Sequence, residues 1–86
     1  MKMTNNESLT TPDKRALRFI RIGRVIKSVR VEMGFQQDYV AAAMGMPRSG
    51  LAMLENGRRS LKLEEFFEFC DCVGMKPEKV LERIAP

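Results

Sequence analysis

Apolar residues recur along this chain at spacings of three and four, and nowhere alternate with polar ones long enough to predict a strand. Ile22, Val25, Ile26, Val29 and Met33 share one face, which predicts a helix over Phe19 to Met33. Asp13 is placed to cap it, with Lys14 to Leu17 as its first turn. Leu17 and Ile20 fall off the main stripe. Gly23 costs about 1 kcal/mol against Ala in a helix interior, unless close packing against a neighbour requires it. Gly34 predicts a left-handed stop.

The stretch Phe35 to Gly57 reads as two short helices joined by a tight turn at Gly45. The first covers about Gln36 to Met44, with Val40, Ala41 and Met44 inward and Tyr39, Ala42 and Ala43 outward. The second covers about Pro47 to Glu55, with Leu51 and Leu54 inward and Asn56-Gly57 as terminator. A fourth helix is predicted over about Lys62 to Val73. Its inner face is Leu63, Phe66, Phe67, Cys70 and Val73, with Phe69 at the flank and Gly74 as its end. Lys76-Pro77-Glu78 opens a fifth, because proline and an acid both suit a first helical turn. Val80, Leu81 and Ile84 form its apolar side. The expected fold is all-α, with five helices and short, glycine-marked turns. Residues 1–13 are expected to be a polar, flexible arm, and residues 14–86 one domain.

Charge adds direction to this picture. The net charge is +4 over 86 residues, and Lys14, Arg15, Arg18, Arg21, Arg24, Lys27 and Arg30 fall in a run without an acid. A basic run favours an anionic partner. These charges spread over the arc of the first helix that the apolar stripe leaves, and most are expected to be solvated. There is no histidine, no glycine-rich phosphate loop and no paired acids at cleft spacing, so neither an enzyme nor a metal or cofactor site is expected. Cys70 and Cys72 sit two apart in a helical pattern and so point to different sides, which makes a mutual disulfide geometrically unfavourable. No window reaches the ~18–20 apolar residues needed to span a membrane, and the N-terminus lacks the apolar core of a signal peptide. A cytoplasmic location is expected.

The ordered set of marks resembles the Cro/cI-type, lambda repressor-like helix-turn-helix DNA-binding domain. It comprises Ile22-Gly23 with Arg24 and Ile26, Gly34-Phe35 leading to Gln37, Val40-Ala41, Met44-Gly45-Met46, Arg48-Ser49 and Leu51. It continues with Leu54-Glu55-Asn56-Gly57, Leu63-Glu64 with Phe66, Phe69-Cys70 and Val73-Gly74. The resemblance covers roughly Ile22 to Leu81. It implies a dimer that sets the third helix of each subunit into successive major grooves of a partly palindromic double-stranded operator.

By position, the resemblance implies that Gln37 bonds a phosphate and that Arg48 and Ser49 face base edges or phosphates. Met53 touches the groove, and Asn56, Arg58 and Arg59 hold the backbone beyond the helix. Three of these have a plainer reading: Gln37 as a helix-start cap, Arg48 as a solvated arginine, Met53 as a neutral surface residue. Glu55 is expected to cap or to pair with an arginine, since phosphates would repel it. Leu61, Phe67, Leu81 and Ile84 are either core rim or the dimer seam, and the seam is favoured. Pro47 stands where the family usually has Ser or Thr, and Gly50, Ala52 and Met53 replace polar base-readers. Readout is therefore expected to lean on Arg48, Ser49 and DNA shape. The function expected is a dimeric regulator, most often a repressor of its own operon, of the phage, restriction–modification or toxin–antitoxin kind. The alternative is a protein-binding module on the same fold, such as an antitoxin or inhibitor.

Overall fold

The computed structural model describes residues 13–85. Five helices follow one another, and no strand occurs among the described residues: α1 Lys14–Glu32, α2 Gln37–Ala43, α3 Arg48–Glu55, α4 Leu63–Val73 and α5 Pro77–Ile84. The expected arm falls almost wholly on residues 1–12, which lie outside the described residues. At its edge, Asp13 caps α1 by accepting the Ala16 N–H at 2.7 Å, an acceptor for one of the donors that a helix start leaves unpaired.

The turn between α2 and α3 shows how the chain reverses in so few residues. Gly45 takes φ 74°, where a side chain would be strained. This lets its own N–H reach Ala42 O at 3.1 Å and the Met46 N–H reach Ala41 O at 3.0 Å. The pair of bonds satisfies carbonyls orphaned at the helix end, and it carries Met46 back into the core. The same closing bonds end α1 at Gly34-Phe35 and α3 at Gly57-Arg58.

α1 packs on α3 and α5, α2 on α3 and α4, and α4 on α5. The core between them holds Ile26, Val29, Val40, Ala41, Met44, Leu51, Leu54, Phe66, Phe69, Cys70, Val73 and Val80, with Met46 at its edge. Two expectations about this core need correction. Met33 does not belong to the buried stripe of α1, because the chain has already reached the C-cap there and its side chain is exposed. On α4 the buried arc is rotated toward Phe69, which is fully buried, whereas Leu63 is 71% exposed and Phe67 48%. This rotation brings Glu65 inward, where Arg59 and the Lys62 N–H take its carboxylate. Both cysteines are free, Cys70 buried and Cys72 half-buried, and burial pushes both thiols up.

Two contacts join α1 to the helix pair in front of it. The first is steric. A Cβ at Gly23 would collide with the carbonyl oxygen of Leu54 and lie 2.8 Å from that of Glu55. The glycine therefore sets the distance between α1 and the end of α3. The second is ionic. Arg30, four residues beyond Ile26 and so on the buried arc, donates from Nε to Glu55 Oε2 at 2.6 Å and from Nη2 to Oε1 at 3.1 Å. Its Nη1 donates to Phe35 O at 2.8 Å. Arg30 thus departs from the solvated basic run of which it was expected to be a part, and Glu55 takes the arginine expected of it.

Ala at position 23 gains about 1 kcal/mol of helix propensity but overpacks a backbone contact at a cost of about 1–3 kcal/mol. Gly23→Ala should therefore lower stability in urea denaturation, and a gain would show that α1 shifts freely. Arg30→Met leaves a buried carboxylate without its cation and should cost about 3–5 kcal/mol. Arg30→Met/Glu55→Leu should recover much of that loss. Additive losses in this cycle would mean that the two groups are not coupled.

Candidate nucleic-acid interface

The surface around the starts of α2 and α3 is built from the buried ion pair outward. Glu55 Oε1 also accepts from Gln37 Nε2 at 2.9 Å, and Gln37 Oε1 accepts from Arg48 Nε at 3.1 Å. Arg30, Glu55, Gln37 and Arg48 thus form one chain of side chains leading from the interior to the exposed start of α3. A carboxamide has one oxygen and two N–H groups. The Gln37 oxygen and one N–H are committed inside the protein, which leaves one N–H for an outside acceptor. Arg48 uses only its Nε in this bond, and among the described residues no group takes its two terminal nitrogens.

The start of α3 carries no side-chain cap. Pro47 occupies the N-cap position at φ −70° and ψ 160° and has no hydroxyl or carboxamide to offer. Gly50 and Leu51 donate to Pro47 O at 2.9 and 3.3 Å, but no protein group takes the Arg48 and Ser49 N–H groups among the described residues. Open N–H groups and the partial positive charge of a helix start suit an anion. α2 likewise begins at Gln36 without a side-chain cap. A small polar cleft between the two starts is lined by Arg30, Gln36, Gln37, Asp38 and Arg48. Ser49 is exposed beside Arg48, and Met53 is 48% exposed on the same helix. Gly50 sits over Met46, whose side chain a Cβ there would touch at 3.5 Å.

Beyond α3 the expected backbone contacts divide. Asn56 and Arg58 are exposed. Arg59 is instead bound bidentately to Glu65, with both bonds at 2.9 Å, and also donates to Ser60 O at 3.0 Å. The Arg59 hydrogen bonds hold the Glu65 carboxyl below its usual range, against the opposing effect of burial. Arg59 therefore secures the α3–α4 connector, and most of its donors are already engaged there. On α1, Arg24 and Lys27 line an open cleft together with Asn56, a proximity that residues so far apart in sequence do not reveal.

Leu61, Phe67, Leu81 and Ile84, separate in sequence, come together in one apolar groove of about 290 Å³. Ile22, Leu63 and Phe66 complete its walls, and no α3 residue takes part. Among the described residues no cluster of acidic, cysteine or histidine side chains suits a metal ion, and no helix is long and apolar enough to cross a membrane.

Two solved structures share this fold. One is the restriction-modification controller protein C.AhdI from Aeromonas hydrophila, 20% identical with a TM-score of 0.68 over 74% of this chain and 97% of that one. The other is the clp gene regulator ClgR from C. glutamicum, 24% identical with a TM-score of 0.72 over 78% of this chain and 87% of that one. At this identity they establish the fold. No curated protein matches the sequence. The family model for the helix-turn-helix, however, matches residues 26–80, which span the last part of α1 through the first turn of α5. The chain belongs to the Cro/cI-type helix-turn-helix family of DNA-binding transcription regulators.

Proposed function

We infer that this protein is a sequence-specific, dimeric DNA-binding regulator of the cytoplasm that represses its own or a neighbouring operon through a partly palindromic site. One observation carries the reading. The uncapped start of α3 presents Arg48, Ser49 and two open N–H groups, and Gln37 ties it to a buried ion pair in the body of a helix-turn-helix domain. Preorganised cations and helix starts suit phosphates, and a guanidinium with both terminal nitrogens open suits guanine edges. Gln37, Asn56 and Arg58 would position the backbone. Arg48 and Ser49 would read bases, with Met53 against thymine methyl groups. Arg59 would contribute indirectly by fixing the loop that carries Arg58. A restriction–modification, phage or toxin–antitoxin operon suits such a chain, and the controller protein whose fold it shares makes the first of these the natural starting point.

The apolar groove supports the dimer. Its rim includes Leu81, 51% exposed, and Phe67. A second copy placed over Leu61, Phe67, Leu81 and Ile84 would cover it while leaving α3 open. A second reading, a protein-binding module, draws on exposed Tyr39 and Met53, large side chains that a protein partner could cover.

A duplex from the region upstream of its own gene should be retarded by micromolar protein at low salt in a gel shift. Unchanged mobility would reject the reading in favour of a protein partner. Within the shift, Arg48→Ala should cost about 1–3 kcal/mol on the specific site and less on random DNA, whereas Arg58→Ala should weaken both about equally. Equal losses for both variants on both DNAs would refute the division of roles. In sedimentation, Leu81→Asp should turn a dimer into a monomer with its helical spectrum intact. A wild-type monomer, or a variant that stays dimeric, would remove the groove from the interface.

A further inference from the structure

The contacts proposed above leave one charged surface of the molecule without a role. α1 has no acid between Lys14 and Val31, and its exposed Arg24 and Lys27 form no ion pair among the described residues. Ile20, Arg24, Lys27 and Val31 follow one another at i, i+4, i+7 and i+11, which puts them on a single stripe of the helix. With Ser28 the stripe walls an open cleft of about 600 Å³, and its opposite wall is the end of α3 at Glu55 and Asn56. The Glu55 carboxylate is already engaged by Arg30 and Gln37, so the unspent charge in the cleft is cationic.

The stripe is held in register with Asn56 from both sides. Gly23 rests against the carbonyls of Leu54 and Glu55, and Ile20 lies where a Cβ on Gly57 would meet it at 2.9 Å. Two cations, a hydroxyl and a carboxamide are the donor set for the anionic oxygens of a phosphodiester, with Ile20 and Val31 at the two ends of the stripe. Two apolar residues separated by two cations are too few to anchor the helix in a lipid surface.

We propose that this cleft is a second DNA-backbone site, in which Arg24 and Lys27, beside Asn56, hold a phosphate of the strand bordering the groove that α3 enters. The proposal rests on the DNA-binding reading above and adds to it a role for α1 that supplies affinity without base information. Neutralising a phosphate releases condensed counterions, so the number of such contacts is read directly from the salt dependence of binding.

The test compares the whole chain with R24Q/K27Q and with K14Q/R18Q. The second variant loses the same charge from exposed positions of α1 outside the cleft. Affinity for a mixed-sequence duplex is measured against salt concentration. The slope of log affinity against log salt should shrink by about 0.9 for R24Q/K27Q, from the one phosphate no longer neutralised, and by much less for K14Q/R18Q. The charge-conserving variant R24K/K27R should keep the wild-type slope, which separates lost contacts from a disturbed fold. Duplex binding by the wild-type protein with an unmoved slope in R24Q/K27Q, or with equal changes in the two neutralised variants, overturns the α1 site alone. Failure of the wild-type protein to bind any duplex overturns it together with the reading on which it rests.

Discussion

The ion pair between Arg30 and Glu55 is the contact on which the remaining geometry depends. Both side chains are almost entirely withdrawn from water, so each is tolerable only while the other neutralises it. A charge on α1 and a charge at the end of α3 must therefore meet, and they fix the long helix against the short one. The remaining guanidinium nitrogen holds the carbonyl of Phe35, which anchors the turn into α2. The remaining lone pairs of the carboxylate take the Gln37 amide, which in turn takes Arg48. A single buried pair thus locates three helices and passes its order to Arg48 at the exposed start of α3.

This arrangement also explains why the surface of α3 can be so sparse. Pro47 provides no cap, Gly50 lies over Met46, and Met53 has no hydrogen-bonding group. In the proposed DNA complex, recognition with few donors would rely on those donors being held in place before the ligand arrives, since freezing a mobile arginine costs conformational entropy on binding. The bond from Gln37 to Arg48 restricts the guanidinium in advance. Arg59 follows the same economy by holding the connector through Glu65 instead of reaching outward.

Much of the architecture was legible in the residue pattern. The helix spacing, the glycine stops and the proline at the start of α5 each act locally, within one or two turns, and each appears in the structure where the pattern placed it. Gly23 was legible as a question, since its cost in a helix demanded a close neighbour, and the carbonyls of Leu54 and Glu55 are that neighbour. The arc of α4 was less legible. Three phenylalanines in four positions cannot share one stripe, and periodicity alone does not say which one turns outward. Packing against α2 and α5 and the partner of Glu65 made the choice, burying Phe69 and exposing Phe67.

The amino-acid order by itself determined the five helices, their ends and the family to which the chain belongs, because these follow from short-range periodicity and from residues at fixed spacing. What only the tertiary structure decided is which charges are spent and which remain available. Arg30 and Arg24 look alike within one basic run, yet one is consumed by a carboxylate 25 residues away while the other faces a cleft beside Asn56. Coulombic partnership depends on distance in space and on exclusion of water, and neither is written in the local pattern of the chain.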